Sequence, residues 1–223
     1  MKKVIVIGGG FAGSLAAQEL EKNFDVILID IKNYFEFTPG ILRTIIEPKH
    51  IKKIHVLHTH YLKKTKIVLG KIDKISEKIV RVNGKSYSYD YLVICSGSSY
   101  HPPIKGGGVV IADRARDLIE CHSKLESSSK ILIVGCGLVG VELAGEIYSK
   151  YRNKKIIMVD YGNRIMMRNN LKSAEYALSF LISKGAEVIL NEKVVSYRRD
   201  LCMTDKKREI NADMVFLCTG IRP

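Results

Sequence analysis

Two short stretches of the sequence have the residue types and spacing to do chemistry. Gly8-Gly9-Gly10-Phe11-Ala12-Gly13 and Gly135-Cys136-Gly137-Leu138-Val139-Gly140 each carry glycine at the first, third and sixth positions. An acid follows each of them, Asp30 after the first and Asp160 after the second. The first glycine permits a tight turn out of a strand, the second lets the backbone approach a pyrophosphate with no Cβ in the way, and the third lets a helix pack close to the strand. The helix that follows offers free N–H groups and a positive dipole end to the phosphates. An acid about twenty residues on accepts hydrogen bonds from a ribose diol. One glycine-rich turn alone is a weak signal, and a lone Asp30 or Asp160 would read as a polar strand end or a helix cap. The weight comes from the whole set occurring twice.

The flanking sequence supplies the elements such turns require. Val4-Ile5-Val6-Ile7 is a β-branched run that reads as a buried strand, and the stretch after Gly13 reads as a helix with Leu15, Ala16 and Leu20 on one face. Val26-Ile27-Leu28-Ile29 is a second strand, ending at Asp30. The plan repeats with the strand Ile131-Leu132-Ile133-Val134, a helix after Gly140, and the strand Ile156-Ile157-Met158-Val159 ending at Asp160. Between the halves, Lys66 to Val82 alternates apolar and polar residues and predicts antiparallel strands, with Asn83-Gly84 as a hairpin signal. Tyr91 to Cys95 predicts another buried strand, Tyr100 to Gly108 a crossover loop, and Arg116 to Glu126 a helix. The C-terminal half continues with a predicted helix near Ala174 to Lys184, a strand at Glu187 to Leu190, a hairpin, and a strand at Met214 to Cys218. The expected fold is α/β, with two Rossmann-like dinucleotide-binding folds in series, three-layered, and an antiparallel strand insertion in the first. The expected domains are residues 1–112 and 113–223.

Composition narrows the function classes. The chain has 223 residues, 46% of them hydrophobic, which is enough for a real core and rules out global disorder. Five cysteines occur without a CxxC pair, against a disulfide-stapled domain, a zinc ribbon or a thioredoxin-like centre, so no metal is expected and a reducing, cytoplasmic setting is. The formal charge of +13 is interleaved with apolar residues along the chain, and reads as solvated faces rather than a nucleic-acid site. The glycines at 8–10 break the apolar stretch near Met1, so no targeting segment is expected. The six histidines show no ligand spacing, and His58 and His60 read as solvated polar positions on a strand. Cys136 reads as tolerated in its turn and not reactive. Arg198, Arg199, Lys206, Lys207 and Arg208 read as a solvated basic hairpin.

The two folds in series, closed by YDYLVICSGSS and by ADMVFLCTGIRP, resemble the two-dinucleotide-binding-domain flavoproteins of the pyridine nucleotide–disulfide oxidoreductase superfamily. The resemblance covers essentially the whole chain, and GCGLVGVELAGE is close to the family's NADH-binding turn. It implies FAD in the first site, NADH in the second, and hydride transfer from one to the other. Family members that use thiol chemistry carry a redox-active cysteine after the first acid, whereas this chain has no cysteine before Cys95. YFEFTPGILRTIIEP looks most like the type II NADH dehydrogenases and their apoptosis-inducing-factor-like relatives. The implied activity is an FAD-dependent NADH oxidoreductase with a quinone-like acceptor. The alternatives are a soluble reductase of a small redox protein and a dinucleotide-binding module without turnover.

The resemblance also assigns residues. Gly8, Gly9, Gly10, Phe11, Ala12, Gly13 and Asp30 fall at the FAD turn and its ribose acid. Thr38 and Pro39 lie beside the flavin, Ser96 and Gly97 bring a strand end to FAD, and Gly70 and Ile72 match a position whose backbone meets the adenine. Gly135, Gly137, Leu138, Val139, Gly140 and Asp160 fall at the NADH turn, with Thr219 and Gly220 at its strand end. Glu142 is the candidate catalytic or orienting carboxylate near the nicotinamide. Asp160 favours NADH over NADPH, because a carboxylate repels a 2′-phosphate; Arg164 points the other way. Family members continue past the motif at Thr219 to Pro223 into a return segment and a C-terminal part. The resemblance therefore leads us to expect a shortened chain, with peripheral membrane contact at the inner face, a homo-oligomer or a completing chain left open.

Overall fold

The computed structural model describes residues 1–106, 108–198 and 201–221. The first half begins with β1 (Lys3–Ile7), α1 (Phe11–Leu20) and β2 (Asp25–Asp30). A meander of short pieces follows: β3 (Tyr34–Glu36), α2 (Ile41–Ile46), α3 (Ile51–Ile54), β4 (His55–Leu57) and α4 (His58–Tyr61). Then come β5 (Lys66–Leu69), β6 (Ile72–Ser76), β7 (Ile79–Val82), β8 (Lys85–Ser88) and β9 (Tyr91–Ile94). The second half holds α5 (Ile111–Ser127), β10 (Lys130–Val134), α6 (Leu138–Lys150), β11 (Lys155–Val159), α7 (Leu171–Ser183) and β12 (Glu187–Ile189). It ends with β13 (Val194–Arg198), β14 (Leu201–Thr204), β15 (Glu209–Asn211) and β16 (Met214–Leu217).

Each half builds a four-stranded parallel sheet of the same order, β5-β2-β1-β9 and β12-β11-β10-β16. Parallel strands buried on both faces need apolar side chains in both directions, which the continuous runs of Val, Ile and Leu supply. In the first half Val4, Val6, Val26 and Leu28 pack with Ala17 of α1, while Ile5, Ile7, Ile27 and Ile29 pack on Val80 and Val82. In the second, Ile131, Ile133, Ile156 and Met158 face the helices, and Leu132, Val134, Ile157 and Val159 face Cys202 and Ile210. Each half is thus three-layered, as expected: helix, parallel sheet, antiparallel sheet.

The helix of the first half differs from its reading in one respect. Its inner face is Gly13 and Ala17, and Leu15 is exposed. Small residues win that face because the third glycine sets a close helix–strand approach. Two further expectations are corrected. Lys66–Leu69 is not part of an antiparallel ladder; it joins the parallel sheet through β2, and the antiparallel sheet is β6-β7-β8. Ile67 and Val68 are half-buried on opposite faces of that sheet, and a strand of four residues is too short for periodicity to separate a parallel edge from an antiparallel ladder. The expected hairpin of the second half is a full three-stranded sheet, β13-β14-β15, so both halves carry the same insertion. Asn83 and Gly84 both take positive φ (48° and 74°), which is the backbone of the tight turn joining β7 to β8.

An unforeseen feature repeats as well. The Asp90 carboxylate accepts the Lys3 N–H at 2.6 Å, and the Asp213 carboxylate accepts the Lys130 N–H at 2.7 Å. Each acid therefore holds the start of the central strand of its sheet. The halves are joined by one continuous apolar cluster, in which Ile41, Leu42, Ile45 and Ile46 of α2 sit with Leu118, Leu125, Leu143 and Ile147. The helix expected from Arg116 starts earlier, at Ile111, and so spans the expected boundary at residue 112.

Candidate functional site

The two glycine turns divide their labour as the sequence suggests. Gly8 and Gly135 take φ of +91° and +103°, and a Cβ on either would overlap the carbonyl oxygen of Cys95 or Cys218 at the end of the neighbouring strand. A Cβ on Gly13 or Gly140 would overlap the carbonyl oxygen of Gly8 or Gly135, so these glycines set the helix against the turn. Gly10 and Gly137 are different: among the described residues, a Cβ there meets nothing within 4 Å. Their backbones face open space at the N-termini of α1 and α6, where Phe11 and Leu138 are exposed. Open space beside unpaired helix N–H groups is a cradle that suits a pyrophosphate.

The acids close the turns. Gly9 N–H donates to Asp30 Oδ2 at 2.9 Å, and Cys136 N–H donates to Asp160 Oδ2 at 2.6 Å. Each acid also accepts the N–H two residues on, Lys32 at 3.3 Å and Gly162 at 2.7 Å. Carboxylates tied this way stand at fixed places beside the cradles, as ribose acceptors must. Ser96-Gly97 and Thr219-Gly220 lie at matching strand ends, with positive φ at both glycines (+68° and +101°) and open space above them. Gly70 N–H donates to the Asp30 carbonyl at 2.9 Å, and Ile72 packs on the nearby sheet face, so this segment does lie at the end of β2. Arg222 and Pro223, the last residues of the second motif, and Arg199 of the basic hairpin lie outside the described residues.

Thr38 and Pro39 form a tight turn whose neighbour Phe37 packs edge-on to Phe11 at 5.7 Å, with Phe35 at 5.1 Å on the same ring. The structure therefore brings this segment to the first glycine turn. Glu142 is exposed on α6, four residues after Leu138, on the solvent side of the helix. One turn further, Glu146 pairs with Arg43 of α2 at 2.6 Å. That ion pair, with the packing of α2, ties the segment carrying Thr38 and Pro39 to the helix carrying Glu142. Arg43 was missed in the sequence; its partner is more than a hundred residues away and no local spacing marks it. Tyr100, in the crossover loop, packs against the apolar cluster that includes Cys218, so the loop leaving the first site touches the second half.

Cys136 and Cys218 are buried beside the second turn, and burial pushes both thiols up, Cys218 to about 12. This agrees with reading Cys136 as unreactive. Arg164 is also resolved: its guanidinium donates to the carbonyls of Met166, Met167 and Asn169 at 3.2, 2.7 and 3.1 Å. It is spent on its own loop. One histidine expectation fails. His58 is completely buried in a helical turn, not a solvated strand position, with Nε2 at 3.2 Å from Asp30 Oδ2 and Nδ1 at 2.6 Å from the Tyr61 hydroxyl. Polar partners at both ring nitrogens are what make that burial tolerable. Among the described residues no cluster of three or more His, Cys, Asp or Glu could hold a metal, and no helix is long and apolar enough to cross a membrane.

The comparison with known proteins decides the family. The model of the pyridine nucleotide-disulphide oxidoreductases matches residues 2–223. The chain belongs to that family. Family members are flavin oxidoreductases that use FAD and NAD(P)H. The chain is 34% identical to apoptosis-inducing factor homolog A of Dictyostelium discoideum over 206 residues, which is 86% of this chain and 50% of that protein. It is 31% identical to ferroptosis suppressor protein 1 of Taeniopygia guttata over 237 residues, 99% of this chain and 63% of that protein. Among solved structures it superposes on NDH2 from Plasmodium falciparum in complex with NADH with a TM-score of 0.80 at 18% identity, covering 99% of this chain and 55% of the other. The expected likeness to the apoptosis-inducing-factor-like branch is borne out, and the last match supports the fold. The chain spans between half and two thirds of the length of these relatives.

Proposed function

We propose that this chain forms the two nucleotide sites of an FAD-dependent NADH oxidoreductase with a quinone-like acceptor, residues 1–112 binding FAD and 113–223 binding NADH. The observation that carries the reading is the pair of cradles at Gly10 and Gly137, each open, each at a helix N-terminus and each flanked by a fixed acid. Bound flavin supplies the hydride acceptor. The protein's own part is placement. The N–H groups around Gly10 and Gly137 hold the pyrophosphates, and Asp30 and Asp160 orient the riboses. Thr38, Pro39, Ser96 and Gly97 border the flavin side. Leu138, Val139, Gly220 and Glu142 border the nicotinamide side, with Glu142 as the orienting carboxylate. The resemblance of residues 34–48 to type II NADH dehydrogenases, and the absence of cysteine before Cys95, favour a quinone over thiol chemistry.

Asp160 with a committed Arg164 favours NADH. Asp160→Ala is expected to weaken NADH about tenfold, the loss of a hydrogen bond made by a charged group, and to narrow its advantage over NADPH. Adding Tyr161→Arg to it should tip the preference to NADPH. Paired titrations with the two nucleotides read this directly, and an unchanged ratio would remove Asp160 from the ribose site. The test of the whole reading is the visible spectrum of the chain with FAD, before and after NADH without oxygen. Retained flavin that bleaches, and then reoxidises with a short-chain quinone but not with a ferredoxin-type protein, is the expected result. Flavin that is retained but never bleached by NADH would sink it.

A further inference from the structure

The two sites are built alike except at one place. In the first, the residue after the leading glycine is Gly9, and a Cβ there would lie 2.5 Å from Asp30 Oδ2 and 2.5 Å from His58 Cε1. In the second, the matching residue is Cys136, whose side chain is buried. Asp160 there accepts two backbone N–H groups and, among the described residues, no side chain. Where the imidazole stands there is no Cβ, and where there is a Cβ no imidazole stands.

We propose that His58, held by Tyr61, is a positioning residue of the first nucleotide site, fixing Asp30 for the adenosine ribose of the dinucleotide; this rests on the reading of that site as the FAD site. Asp30 Oδ2 lies 2.9 Å from Gly9 N and 3.2 Å from His58 Nε2, so that oxygen is fully engaged. Oδ1 has one long bond, 3.3 Å from Lys32 N, and keeps lone pairs for the ribose hydroxyls. A carboxylate accepts, so Nε2 carries the proton and Nδ1 accepts from the Tyr61 hydroxyl 2.6 Å away. A hydrogen-bonded chain therefore runs from Tyr61 through His58 to the acid that takes the ribose. The second site, lacking it, holds Asp160 with a 2.7 Å bond from Gly162 N–H instead. Glycine at position 9 leaves room for both the His58 imidazole and the Asp30 carboxylate.

The test is FAD titration of the full chain, followed by flavin fluorescence, with NADH titration of the second site as the internal control. His58→Ala is expected to weaken FAD about tenfold, one hydrogen bond to a charged group, and to leave NADH unchanged. His58→Gln, whose amide N–H can reach the Nε2 position, should recover most of that affinity. Gly9→Ala should weaken FAD on its own, and much less in a chain already carrying His58→Ala, because the imidazole is then gone and the Asp30 carboxylate, the other neighbour at 2.5 Å, has room to shift. The decisive readout is FAD lacking the adenosine 2′-hydroxyl. The wild type should discriminate against it, and His58→Ala should discriminate less, which a purely structural role would not produce. Equal discrimination in both proteins, or additive effects of Gly9→Ala and His58→Ala, would overturn the proposal. If His58→Ala does not fold, the Gln variant, Tyr61→Phe and the deoxy ligand carry the same comparison. A wild-type chain that takes up no FAD overturns the cofactor reading and this proposal with it; a wild type that binds FAD while His58→Ala binds it equally well overturns this proposal alone.

Discussion

Gly137→Ala is expected to leave the fold standing and to cost the second site about a hundredfold in NADH affinity, some 3 kcal/mol of steric conflict with the bound phosphates. The backbone at Gly137 has φ −71° and ψ −174°, a conformation alanine adopts freely, and its Cβ would meet no atom of the protein. The residue caps α6, where alanine is a poorer cap than glycine, so a stability loss of no more than about 1 kcal/mol is expected. Gly140→Ala makes the contrast. Its Cβ would overlap the Gly135 carbonyl and come within 3.2 Å of Ile133 Cγ2, so it should damage the packing of α6 on β10 whether or not a nucleotide is present. Thermal melts and NADH fluorescence titrations of the two variants separate the cases. Normal NADH binding by Gly137→Ala would mean that the phosphates do not pass over this turn.

Arg114→Ala should be the most destabilising single change outside the sheets, by about 3–5 kcal/mol, because it strips the partner from a buried carboxylate. Arg114 is 1% exposed, and its Nε donates to Glu36 Oε2 at 2.9 Å while its Nη2 donates to the carbonyls of Pro103 and Ile104. His55 Nε2 donates to the same carboxylate oxygen at 2.8 Å, and Lys32 approaches the other at 3.8 Å. The cluster pins β3 and β4 to the crossover loop and to α5. Burial alone would push the Glu36 carboxyl up; the His55 hydrogen bond and the Arg114 charge overcome it and bring it down to about 2. A folded value below the unfolded one stabilises the charged, folded form. This contribution is complete above the ordinary carboxylate range, near 4.5, and drains away as the pH falls toward 2. Glu36→Gln should flatten that acid limb. Combined with Arg114→Met it should cost less than the two changes separately, since no unpaired charge is then left buried. Denaturant midpoints from pH 7 to pH 3 measure all three, and an acid limb in Glu36→Gln equal to that of the wild type would count against the account.

What could be read from the residues was whatever is local and repeated. A β-branched run, a glycine turn, a helix and an acid lie within about thirty residues of one another. Each glycine has a steric reason that holds whatever the rest of the chain does: the positive φ at Gly8 and Gly135, and the helix–strand approach at Gly13 and Gly140. The parallel sheets followed from strands too apolar to face water on either side. The ambiguities came where a pattern has two physical origins. A strand as short as Lys66–Leu69 can close the edge of a parallel sheet or join an antiparallel ladder, and Leu15 sits in a helix whose inner face is reserved for small residues by a neighbouring turn.

The sequence by itself determined that this protein has two glycine-rich turns, each closed by an acid, on two parallel sheets, because each turn's requirements are satisfied by neighbours in the chain. Tertiary structure alone decided what sits behind those turns. His58 lies 28 residues from Asp30, Arg114 lies 78 from Glu36, and Arg43 and Glu146 belong to different halves. A histidine or arginine carries no sign in the sequence of whether it will face water or a carboxylate. The cost of burying a polar group is repaid by a partner that the fold delivers from far along the chain, and only the folded arrangement shows which partner that is.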